Sequence, residues 1–133
     1  MPPLPPPREL ASWEIPPGDK GTEATEGAMH ALASAAAHDP QSLAAQLGRE
    51  LRGRFPGETA ARIRRVLSEV VRFELDPPHL EYVRTPDRML LEVQHHGGTQ
   101  GDCDDIATLG AALGMAAGLP VRYVTVAMHP GAP

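Results

Sequence analysis

The chain has very few residues that can form covalent cross-links. Among its 133 residues there is one cysteine, Cys103, so an internal disulfide bond is excluded. A chain of this length corresponds to one ordinary domain, which can bury a core without disulfide or metal staples. Cys103 is therefore a buried filler, a reactive thiol or one member of a mixed ligand set.

Basic charge and long apolar runs are also scarce. Twelve basic residues stand against seventeen acidic ones, for a net charge of −5, and no basic run is long enough to follow a phosphate backbone. No segment approaches the roughly 18 apolar residues that span a bilayer, and prolines occupy the place of a signal peptide. We therefore expect a cytoplasmic protein that binds neither nucleic acid nor membrane.

Proline is abundant at the start of the chain. Five of the first seven residues are proline, and Pro16-Pro17-Gly18 follows. This composition predicts a disordered, extended tail over residues 1–27 and one folded domain over residues 28–133. The run from Pro2 to Arg8 is a candidate ligand for an aromatic-lined groove of a partner, and the alternative is a plain tail.

Apolar spacing predicts several helices in the domain. They cover Ala28–Ala37, Gln41–Arg54, Gly57–Phe73 and a short stretch from Thr85-Pro86 through Val93. The glycine-rich residues 97–101 predict a loop that leads into a helix with Cys103 in its first turn. Gly118 is the expected left-handed cap of that helix, and Val121–Val126 is the one clear strand.

The position of Cys103 at a helix N-terminus suits a nucleophile. Unsatisfied backbone N–H groups and the helix dipole favour a thiolate there, and the same N–H groups can stabilise an oxyanion. The adjacent carboxylates oppose this, because negative charge raises the pKa of a thiol. We expect Asp102 to be the N-cap, with Asp104 and Asp105 in the first turn and paired with an arginine such as Arg65 or Arg122.

The residues around Cys103 also follow the order of a known signature. Gly101-Asp102-Cys103-Asp104-Asp105-Ile106-Ala107-Thr108-Leu109 is followed by Ala112-Leu113 and then by Gly118-Leu119-Pro120-Val121-Arg122-Tyr123-Val124. This order resembles the core of the transglutaminase-like superfamily. The preceding Tyr82-Val83-Arg84-Thr85-Pro86 is similar to the segment that leads into that core in compact bacteriophage versions. The resemblance covers roughly the last third to half of the chain.

The resemblance implies an α+β, papain-like fold and a Cys-His-Asp triad, in which the histidine withdraws the thiol proton. Only the nucleophile, Cys103, has a match, because the family's histidine and acid lie beyond the strand that matches Val121–Val126. We therefore expect the helical half and the first core strand of the domain, truncated before the rest of the sheet. His129 is a candidate base in a Pro-Gly turn, and Gln100 is a candidate oxyanion donor.

Two classes of function follow from these observations. The first is a cysteine enzyme that acts on amide bonds of a protein or peptide, by hydrolysis or acyl transfer through a Cys103 thioester, and that is inactive in this form. The second is a non-catalytic structural or interaction module of a phage-type protein, cytoplasmic or virion-associated, that uses its proline tail or a sheet edge.

We expect no cofactor. A zinc site built from His95, His96, Asp102, Cys103 and Asp104 is a further alternative without a recognised ligand spacing.

Overall fold

The structure, a computed structural model, describes residues 10–14, 19–74 and 80–123, and the side chains of residues 26–74 and 84–123. In chain order its elements are β1 (Leu10–Glu14), α1 (Asp19–His38), α2 (Leu43–Leu51), α3 (Pro56–Val70), β2 (Val71–Phe73), β3 (Leu80–Arg84), α4 (Pro86–His96), β4 (Thr99–Gly101) and α5 (Cys103–Ala116). The four strands form two separate pairs, β1 with β3 antiparallel and β2 with β4 parallel. The described chain is thus α+β and mostly helical.

Helix α5 is the centre of the core. Leu109, Ala112 and Leu113 have no exposed surface, and α1, α2 and α3 all contact this helix. Small residues let the helices approach closely: a Cβ atom added to Gly48 of α2 would lie 2.5 Å from the Cβ of Ala116. No helix in the described ranges is long and apolar enough to cross a membrane.

Side-chain caps explain where α2 and α4 begin. Ser42 accepts a hydrogen bond from the backbone of Ala45 at the start of α2, and Thr85 does the same for Arg88 at the start of α4. The carboxylate of Asp87 also accepts from the backbone N–H groups of residues 43 and 44, each at 3.0 Å. The first turn of α4 therefore helps to cap α2, which fixes these two helices to each other.

The N-terminal segment contains two elements that the sequence did not predict. Within the range 1–27, predicted as an extended tail, the structure has β1 and the first turns of α1. Strand β1 depends on long-range pairing, because it aligns Leu10 with Arg84 and Glu14 with Leu80, and a local composition pattern carries no information about such a partner. Residues 1–9 and 15–18, including the proline run, lie outside the described residues.

The strands near Cys103 also differ from expectation. The predicted loop at residues 97–101 contains β4, because Thr99–Gly101 pairs with Val71–Phe73, which the sequence assigned to the end of a helix. Val121–Tyr123, expected as the start of a strand, has no regular secondary structure, and Val124–Val126 lies outside the described residues. Gly118 has the predicted left-handed conformation, with φ of 88°.

Candidate functional site

The N-terminus of α5 is closed by a reciprocal pair of aspartates. Asp102 is the N-cap, as the sequence predicts, and its Oδ1 accepts from the backbone N–H groups of Asp104 at 3.0 Å and Asp105 at 3.1 Å. In return, the Oδ2 of Asp105 accepts from the N–H of Asp102 at 3.1 Å. This capping box fixes the turn that presents Cys103, the first residue of the helix.

Asp105 also joins this turn to another element. Its Oδ1 accepts from the backbone N–H of Arg84, at the end of β3, at 2.8 Å, and the residue is 1% exposed. Burial raises the pKa of Asp105 to about 6, although its hydrogen bonds to Arg84 and Asp102 favour the carboxylate. The predicted pairing of Asp104 and Asp105 with Arg65 or Arg122 was wrong. Arg65 pairs with Glu69, and neither arginine bonds these aspartates in the described structure.

The residue before the cap must be glycine. A Cβ atom added to Gly101 would lie 2.6 Å from the Cβ of Asp105 and 2.9 Å from its Oδ2, which is closer than real Cβ atoms approach. The backbone of β4 thus passes directly against the buried carboxylate. Gly101 therefore has a packing role beside that carboxylate.

The thiol of Cys103 is exposed. This exposure excludes the buried filler, one of the alternatives that the sequence left open. The Sγ lies 3.8 Å from the Oδ1 of Asp104. The N–H groups of Asp104 and Asp105 already donate to Asp102, and that of Ile106 donates to the carbonyl oxygen of Asp102. These three donors of the first turn are therefore occupied by the cap, which differs from the oxyanion role that the sequence suggested for the helix N-terminus.

Gln100, the candidate oxyanion donor, lies on β4. Its amide, in the orientation that satisfies its neighbours, donates to Glu74 and accepts from Arg72. Gln100 lines a polar cavity of about 670 Å³ together with His96 and Thr99, and Cys103 is not part of that lining. A role of Gln100 at the thiol stays a prediction.

Three histidines were candidates for a metal site or a catalytic base, and the structure describes two of them, His95 and His96. His95 and His96 end α4, with ring centroids 6.3 Å apart. In the part of the chain that the structure describes, no three His, Cys, Asp or Glu side chains converge on a point that could hold a metal ion. The zinc set that includes Asp102, Cys103 and Asp104 is therefore not formed there. His129, the candidate base, lies outside the described residues.

A surface groove between α3 and α5 is a feature that sequence reasoning missed. It has a volume of about 530 Å³, and its lining is apolar apart from one arginine and one serine: Ala60, Ile63, Arg64, Leu67, Ser68, Val71, Phe73, Ile106, Gly110, Gly114, Leu119 and Val121. We call this feature the α3/α5 groove. Its only signal in the sequence was the apolar spacing of the helix predicted over Gly57–Phe73. In the structure Ile106, Leu67 and Val121 are only partly buried.

Comparisons with known proteins give no relative: no protein family, curated protein or solved structure matches this chain.

Proposed function

We propose that the chain carries the nucleophile of a transglutaminase-like cysteine enzyme with a papain-like fold, which acts on amide bonds through a thioester on Cys103. The observation that supports this is an exposed thiol on the first residue of a central helix, held in place by a buried hydrogen-bond network. A thiol retained only for packing has no need of exposure. The order of residues around Cys103 supports the same reaction class.

The proposed reaction is acyl transfer to sulfur. The Cys103 thiolate attacks the carbonyl carbon of the amide, a C–S bond forms, and the C–N bond then breaks as the amine leaves with a proton. Water or a second amine attacks the thioester, and the thiolate is released. The dipole of α5 favours the thiolate, while the Asp104 carboxylate near the sulfur opposes it. A base is therefore required, and His129 remains the candidate within this sequence.

Alkylation of the single cysteine tests the proposal. We expect the folded chain to react with iodoacetamide at pH 7 faster than the same chain unfolded in urea, because the helix N-terminus stabilises the thiolate. The rate is followed by intact mass, and the unfolded chain is the matched control for the same sulfur. Equal or slower alkylation of the folded chain would contradict an activated nucleophile.

A second candidate function is a non-catalytic interaction module. The observation that favours it is the α3/α5 groove with the exposed side chain of Phe73, which a partner is able to cover. A stable complex with a protein partner that survives replacement of Cys103 by alanine, together with an unactivated thiol, would favour this candidate over the enzyme.

A further inference from the structure

The α3/α5 groove begins at Ile106, in the first turn of α5, and Cys103 itself is not one of its lining residues. Ile106 lines the groove and follows Cys103 by three residues, which places the two on neighbouring positions of one helix face, about 4.5 Å apart along the axis. Gly110 and Gly114 continue the lining at intervals of four residues. The groove therefore runs along α5 from the turn that carries the thiol.

A strand edge borders the groove. Strand β2 pairs with β4 on one side, where the N–H of Glu74 donates to the carbonyl oxygen of Gly101 at 2.8 Å, and no other described strand pairs with its second side. Backbone groups of successive residues point to opposite edges, so the N–H and C=O of Phe73 face the second edge. The Phe73 side chain is 59% exposed and lines the groove. An extended chain can add to such an edge through backbone hydrogen bonds.

The positive charge of Arg64 in the groove favours extended chains that carry a negative charge. Arg64 is its one charged lining residue and makes no ion pair with a carboxylate of the described chain. Its neighbours on α3 differ, because Arg62 pairs with Glu58 and Arg65 pairs with Glu69. Apolar walls beside one guanidinium that has no counter-charge among the described residues are complementary to an apolar segment that carries a carboxylate.

We propose that the α3/α5 groove binds an extended polypeptide substrate that adds to the free edge of β2, with apolar side chains in the groove and a carboxylate on Arg64. This inference deepens the proposed function by naming where the polypeptide substrate binds and which side chains it carries, and it rests on that function for the chemistry at Cys103. Binding itself requires only the groove, the strand edge and the arginine, so it is measurable without turnover.

The charge contact is tested with two labelled peptides. One is an octapeptide of alternating valine and threonine with a single glutamate, and the other has glutamine in place of the glutamate. Fluorescence anisotropy is measured with the full chain carrying Cys103→Ser, which prevents acylation. We expect Arg64→Gln to weaken binding of the glutamate peptide about two- to fivefold, the effect of one exposed ion pair, and to leave the glutamine peptide unchanged. Arg65→Gln is the control and should change neither.

The location is tested with a matched pair of alanines. Ala60 and Ala61 are both exposed on α3, but only Ala60 lines the groove. Ala60→Phe fills the groove and should weaken binding of both peptides by about tenfold or more, whereas Ala61→Phe should not. Equal binding by these two variants overturns the assignment. A second result would also overturn it: the chain binds neither peptide, forms a dimer as its concentration rises, and loses that dimer on Ala60→Phe. The groove would then be occupied by a second copy of the chain.

The two proposals fail separately. If peptide binding is weakened by the Arg64 and Ala60 variants but the thiol is no more reactive than in the unfolded chain, the proposed enzyme is contradicted and the binding groove is supported. If Cys103 is activated but the chain binds neither peptide, the groove proposal is contradicted and the proposed nucleophile is supported.

Discussion

At the scale of single residues, the three aspartates around Cys103 have three different environments. Asp102 caps α5, Asp105 is buried and bonds the backbone of both Asp102 and Arg84, and Asp104 lies beside the sulfur of Cys103. Two of the three carboxylates thus hold the turn, and one adds negative charge at the thiol. The turn is costly to disturb, because each buried N–H group that loses its acceptor destabilises the fold.

Asp105 makes stability depend on pH in a defined direction. Its pKa in the folded chain, about 6, lies above its ordinary value of 3.8, so folding favours the protonated form. This contribution to stability is fully present below pH 4 and is lost as pH rises through 6. We expect the free energy of unfolding in urea to fall more between pH 4 and pH 7 for the wild-type chain than for Asp105→Asn, which does not titrate. Parallel pH profiles for the two chains would contradict this assignment.

At the scale of elements, the contact between α2 and α5 depends on one glycine. The Cβ of an alanine at Gly48 would lie 2.5 Å from the Cβ of Ala116 and 2.8 Å from the carbonyl oxygen of Leu113. The second atom belongs to the backbone of α5 and cannot move aside. The helices must therefore separate if this position gains a side chain.

We predict that Gly48→Ala lowers the free energy of unfolding by about 1–2 kcal/mol, because overpacking of about 1–3 kcal/mol exceeds the helix-propensity gain of up to about 1 kcal/mol. Gly27→Ala on α1 is the matched control, since nothing lies within 4 Å of the added Cβ. Denaturant titration of both variants checks the pair. A Gly48→Ala chain as stable as the control would show that the α2–α5 contact is loose.

At the scale of the whole molecule, α5 is the element around which the others pack. Leu109 and Leu113 are fully buried, and helices α1 to α4 all contact α5, while α3 leaves an open groove on one side. We expect the amides of residues 109–113 to show the slowest hydrogen exchange, because they open only with global unfolding. NMR-detected exchange measures this directly, and greater protection in α3 than in α5 would be the contrary result.

Local chemistry was sufficient to predict much of this architecture. The helix with Cys103 in its first turn, its Asp102 cap, its Gly118 end and the break between the first two helices each depend on residues within a few positions of one another. The strand pairs were not predicted, because β1 finds β3 about seventy residues away and β2 finds Thr99–Gly101 in a glycine-rich stretch. Pairing of that kind is decided by the partner and not by the strand's own pattern.

The sequence by itself determined which residue is the candidate nucleophile and that it stands at the start of a capped helix, because capping and helix periodicity are short-range properties. Only the tertiary structure decided that Cys103 is exposed, that Asp105 is buried against Arg84 and not bonded to Arg65 or Arg122, and that α3 and α5 leave a groove lined in part by Arg64. Burial, long-range hydrogen bonds and surface shape depend on which distant segments meet, and that is a property of the folded chain as a whole.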